Sequence, residues 1–66
     1  MRNKVWHYRN INGLSLKELS YLTGISVSEL NKIENEETKD ILLSNAINIS
    51  KALKVDMYDL FCINKN

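Results

Sequence analysis

The chain has no proline, only two glycines and a single cysteine in 66 residues. Without proline, and without any run of alternating β-branched residues, strands have little support and the sequence reads as all-α. The lone Cys62 has no partner for an intramolecular disulfide, which fits a reducing compartment. It is expected as a partly buried apolar filler. No apolar stretch approaches the ~18 residues that cross a bilayer, and the opening MRNKVWHYRN lacks the apolar segment of a secretion signal. These absences read as a soluble, cytoplasmic protein with no membrane contact. A dominant charge is missing too. Nine Lys and Arg stand against eight Asp and Glu, a formal net charge of +1. That excludes a polycation that holds nucleic acid by bulk charge alone.

What is present suits one small domain over residues 1–66, with 44% hydrophobic and 26% charged residues. A chain of this size buries only about 60% of the surface that its unfolded form exposes, so its core must be economical. No internal repeat, linker or low-complexity segment interrupts it.

Five short helices fit the length. Asn3 is positioned to cap a first helix running to about Asn12, with Val5, Tyr8 and Asn12 on one face and Gly13 closing it. Two capping boxes follow. In each, a serine accepts from a backbone N–H one turn in, and a glutamate three residues on bonds back to the N–H of the serine. Ser15-Leu16-Lys17-Glu18 opens a second helix and Ser26-Val27-Ser28-Glu29 a third, with Thr23-Gly24-Ile25 between them. Leu19, Ile25, Leu30 and Ile33 then share an inner face. Asp40 is expected to cap a fourth helix with Leu43, Ala46, Ile47, Ser50 and Leu53 at helical spacing. Asp56 should cap a fifth from Met57 to about Phe61, placing helices 4 and 5 at about 41–61 and leaving INKN as a frayed tail.

Residues 9–61 resemble the helix-turn-helix domain of the lambda repressor and Cro family, including the xenobiotic-response-element-type regulators. The residues that carry the resemblance are Arg9, GLS at 13–15, KELS at 17–20, TGIS at 23–26, Leu30, KIE at 32–34 and KALKV at 51–55. The resemblance implies a lambda-repressor-like fold with the helix-turn-helix at helices 2 and 3, a core motif of 15–34, and a prokaryotic or phage-type regulator. It also implies an ion pair between Arg9 and Glu34 that ties helix 1 to helix 3.

A recognition helix turns its apolar residues inward and offers groups to base edges on its outer face. For helix 26–34 this leaves Val27, Ser28, Asn31 and Lys32 outside as base-contact candidates, and the resemblance implies base contact at Val27, Ser28 and Lys32; a plain solvent face is the alternative. Backbone contact falls to Ser15, Leu16, Lys17, Ser26, Asn35 and Lys39, with Arg2 or Lys4 as further positive groups. Leu16 and Val27 stand where relatives often carry Gln or Arg, so direct readout per half-site is modest. Glu36 replaces a frequent glycine of the family, and Ile41 its usual proline.

Residues 26–40 hold five acids and two lysines, a local charge of −3, which repels phosphates. Glu29 and Asp40 are expected to be occupied as caps and Glu34 as a salt-bridge partner; Glu36 and Glu37 have no evident role. One subunit should bind duplex DNA weakly, so a homodimer is expected. Leu42, Ile49 and Ala52 form a second apolar stripe on helix 4, and Phe61 and Ile63 lie near the chain end. Of these, Leu42, Phe61 and Ile63 are the dimer-interface candidates, completion of a small core being the equal alternative.

The runner-up reading is a domain used for protein contact, antitoxin-like or anti-repressor, whose acidic loop faces a basic regulatory partner. Trp6 and Tyr8 are expected as core and rim, Tyr21 and Tyr58 as amphipathic edges, and His7 as a solvated residue. An enzyme, a cofactor, a metal site or a small-molecule ligand is not expected. Nothing resembles a nucleophile elbow, a phosphate-binding glycine loop or a metal cluster.

Overall fold

The computed structural model describes residues 1–63, and Asn64, Lys65 and Asn66, read from the sequence as part of the frayed tail, lie outside the described residues. Within them the chain forms five α-helices: α1 (Val5–Ile11), α2 (Leu16–Thr23), α3 (Val27–Glu34), α4 (Leu43–Leu53) and α5 (Met57–Leu60). α2 packs on α3 and α4, α1 reaches the same two helices, and α5 closes against α4.

The core draws on every element. Val5, Leu19, Leu30, Ile33, Ile49, Leu53 and Leu60 are fully or almost fully buried, joined by Ile25, Ala46 and Phe61. Each large aliphatic side chain removed from water contributes roughly 1.5–3 kcal/mol, the dominant favourable term for a domain this small. The buried polar groups are satisfied locally: the Thr23 hydroxyl donates to the Leu19 carbonyl at 2.8 Å and Ser50 to that of Ala46 at 2.8 Å. The amide of Asn12 joins α1 to α4 by donating to the Leu53 carbonyl at 3.1 Å.

Helix ends explain how a chain with two glycines closes five helices. Gly24, at φ 75°, ends α2, its N–H donating to the Ser20 carbonyl. The other four ends share a pair of bonds reaching back over the last turn. After α1, for example, Gly13 N–H meets Asn10 O and Leu14 N–H meets Arg9 O. This Schellman arrangement needs one left-handed residue. Only α1 has a glycine there; Glu36 (φ 60°), Lys54 (φ 56°) and Cys62 (φ 55°) serve α3, α4 and α5.

Several expectations need correction. Asp40 does not cap α4, which begins at Leu43 with Leu42 as its N-cap residue and no side-chain cap. Ile41 is half-buried against the core, and helical geometry starts too late for Asp40 to reach the first amides. The buried stripe of α4 is Ala46, Ile49, Ser50 and Leu53, an alternative i, i+3, i+4, i+7 face that leaves Leu43 66% and Ile47 37% exposed. Ile49 is therefore core. Phe61, a dimer candidate, is 3% exposed and also belongs to the core, because α5 folds back onto α4. Cys62 is exposed, since its left-handed backbone turns the chain away from the core. Trp6 is exposed as well, next in sequence to the buried Val5 but turned off the core-facing side of α1. Asn3 lies before the α1 N-cap, Lys4, yet its side-chain oxygen accepts from the Val5 N–H at 3.0 Å.

Candidate nucleic-acid interface

The centre of the site is α2, the turn Gly24-Ile25-Ser26, and α3. Ser15 and Glu18 form the full reciprocal box: Glu18 N–H donates to Ser15 Oγ at 3.0 Å, and Ser15 N–H to Glu18 Oε1 at 2.9 Å. The Ser15 backbone N–H first, and then the Ser15 hydroxyl, hold the Glu18 carboxyl below its ordinary value. Ile25 fills the core from the turn, so that the second helix leaves at a fixed angle to the first.

At α3 only half a box forms. Glu29 N–H donates to Ser26 Oγ at 3.1 Å, but the Glu29 carboxylate does not return to Ser26 N–H, and the residue is half-buried. The helix divides sharply by burial. Leu30 and Ile33 are 0% and 2% exposed, while Val27, Ser28, Asn31 and Lys32 all face solvent. Val27 supplies an apolar group, Ser28 a donor and acceptor, Asn31 an amide and Lys32 a cation, types that meet a thymine methyl or polar base edges.

Of the residues expected at the DNA backbone, Ser15, Lys17, Ser26, Asn35 and Lys39 are exposed. Leu16 is half-buried and packs against the core, so only its main chain is available there. The α2 box occupies the N–H groups of Ser15 and Glu18, and a helix leaves its first amides without partners in its own ladder. The amides of Leu16 and Lys17 are thus suited to an anion. Leu42 is 70% and Ile63 41% exposed.

Arg9 and Glu34 meet between α1 and α3. Arg9 Nε lies 2.6 Å from Glu34 Oε2 and Nη2 3.1 Å from Oε1, while Nη1 donates to the Leu14 carbonyl at 2.9 Å. This fork consumes all three guanidinium nitrogens and ties the turn between α1 and α2 to the pair through Arg9. The Glu34 hydrogen bond raises the Arg9 pKa, against a smaller opposing effect of burial.

The acidic loop looks different from its sequence. Neither Glu29 nor Asp40 has the capping role expected of it, so their charges are not excused on that ground. Glu36, by contrast, has a partner: its Oε2 accepts from the Asn3 N–H at 3.2 Å. That contact joins residues 33 positions apart, and no local pattern announces it. The one signal in the sequence was a glutamate at a position where glycine is usual.

A family model described as a helix-turn-helix matches residues 7–60, from α1 through α5. Neither the curated proteins nor the solved structures contain a significant match. With most of the chain matched and the motif in place at α2 and α3, the chain belongs to the lambda repressor/Cro-like helix-turn-helix family, a family of DNA-binding regulatory domains.

Proposed function

We propose that the chain is a transcriptional regulator that works as a dimeric repressor, entering α3 into the major groove of a short palindromic operator and occluding a promoter. The observation that carries this reading is the division of α3, apolar residues buried and four chemically varied side chains exposed in one row. Val27, Ser28, Asn31 and Lys32 would touch bases. Ser15, Lys17, Ser26, Asn35, Lys39 and the main chain at Leu16 would touch phosphates.

About three to five phosphate contacts per subunit give weak, salt-sensitive binding, and two subunits in two-fold register would set their recognition helices about 34 Å apart. Leu42 and Ile63 remain as apolar groups for such a dimer; Phe61 does not, being spent in the core.

One observation favours the protein-contact reading. The outer side of α2 carries a groove lined by Leu14, Lys17, Glu18, Tyr21 and Leu22, with Tyr21 88% and Leu22 54% exposed. Amide NMR titration with a 20-base-pair duplex separates the two. The DNA reading expects shifts concentrated at 15–17, 26–28, 31, 32, 35 and 39. The absence of shifts there would overturn it and turn attention to the α2 groove.

A further inference from the structure

The first four residues lie across the loop that follows α3. The Met1 nitrogen donates to the carbonyls of Thr38 and Glu36. The Asn3 side-chain amide donates to the Ile33 carbonyl at 2.8 Å, and its backbone N–H to Glu36 Oε2 at 3.2 Å. At the other end, Lys4 N–H donates to the Leu60 carbonyl at 2.7 Å. Burial alternates along this strap: Met1 and Asn3 are half-buried against the loop, while Arg2 and Lys4 are exposed. Arg2 lies between Met1, bonded to the carbonyls of Glu36 and Thr38, and Asn3, bonded to the Ile33 carbonyl and the Glu36 carboxylate, and so at the loop that follows α3.

Glu36 is the unusual partner. It holds the left-handed position that ends α3, where glycine would sit without strain, and its carboxylate takes the Asn3 N–H. A glycine would relax the backbone and remove the bond. The strap also brings a cation, Arg2, to a loop that carries Glu36, Glu37 and Asp40 against Lys39.

Resting on the DNA-binding reading above, we infer that residues 1–4 form part of the nucleic-acid surface: Arg2 is a phosphate contact, and Asn3 and Glu36 are positioning residues that hold it on the phosphate side of the α3–α4 loop. An acid beside the DNA thus supports binding by what it fixes. Glu37 makes no such bond to the strap and acts only as a repelling charge.

The test is anisotropy titration of the full chain against a labelled 20-base-pair duplex of mixed sequence, at several salt concentrations. Thermal melts of each variant confirm folding. Arg2→Ala should weaken binding about 3- to 10-fold and lower the salt slope by about one. Glu36→Gln, which keeps an oxygen acceptor and loses the charge, should bind at least as tightly as the parent chain. Glu36→Ala should bind more weakly despite losing the same charge, and in that background Arg2→Ala should cost little more. Glu37→Ala should tighten binding. If Glu36→Ala tightens binding as Glu37→Ala does, or if Arg2→Ala costs the same in both backgrounds, the strap has no part in DNA binding. If the parent chain shows no salt-dependent binding at all, the DNA-binding reading itself is wrong and this assignment falls with it.

Discussion

Arg9 and Glu34 form a two-pronged ion pair between α1 and α3, with side chains only 12% and 4% exposed. Such a pair costs much to desolvate, so its value shows when one partner is removed and the other left buried and unpaired. Arg9→Met or Glu34→Leu alone should cost about 3–5 kcal/mol in urea denaturation. The double substitution should recover a large part of that loss. Strictly additive single losses would show that the two residues act separately.

The left-handed residue after α4 gives a prediction of opposite sign. Lys54 adopts φ 56° in a Schellman turn whose bonds are made by the backbone alone. Lys54→Gly should stabilise the domain by about 1 kcal/mol, because glycine has no Cβ to strain that conformation. In a domain this size the gain would raise the melting midpoint by roughly 4–8 °C. An unchanged or lowered midpoint would mean that the extra freedom of glycine in the unfolded chain cancels the relief.

The capping box of α2 should leave a mark in acid. The Glu18 carboxyl, held by the Ser15 N–H and hydroxyl, titrates below its ordinary value of 4.5. A lowered folded value means that the contribution is fully present above the unfolded value and is lost as pH falls through the folded one. Glu18→Gln can accept the same N–H but does not titrate. The stability advantage of the parent chain over this variant should therefore shrink on acidification below about pH 4.5. A difference constant down to pH 2 would contradict the assignment.

Lys32 and Lys17 should separate base reading from backbone grip. Lys17→Ala is expected to weaken binding to all duplexes alike and to lower the salt slope by about one, whereas Lys32→Ala should also relax preference at one base position. Equal effects on every sequence would make Lys32 a second phosphate contact. Competition titrations with single-base variants of a selected duplex decide between them.

The fold was legible wherever the signal was local. Ser15 with Glu18, Gly13 and Gly24, and the spacing of Leu19, Ile25, Leu30 and Ile33 each specify geometry within a turn or two, and α1 to α3 follow from them. The misreadings arose where two local solutions competed. α4 offers two overlapping apolar stripes, and which one is buried depends on how α2 and α5 meet it, as Ile49 and Phe61 show. Likewise Asp40 looks like a cap until the packing of Ile41 delays the helix to Leu43. At the site, the exposed row on α3 could be anticipated from helical period alone. The bond between Asn3 and Glu36 could not, because chain topology, not local pattern, brings those residues together.

The central claim is that α3 reads DNA, and enrichment of random duplex against the purified chain, followed by anisotropy titration of the enriched sequence over a range of salt, tests it most directly. The account predicts a palindromic sequence bound far more tightly than scrambled duplex, with log K falling linearly as log salt rises. No enrichment, or binding indifferent to salt, would contradict it, leaving α3 with the shape of a recognition helix and no operator to read.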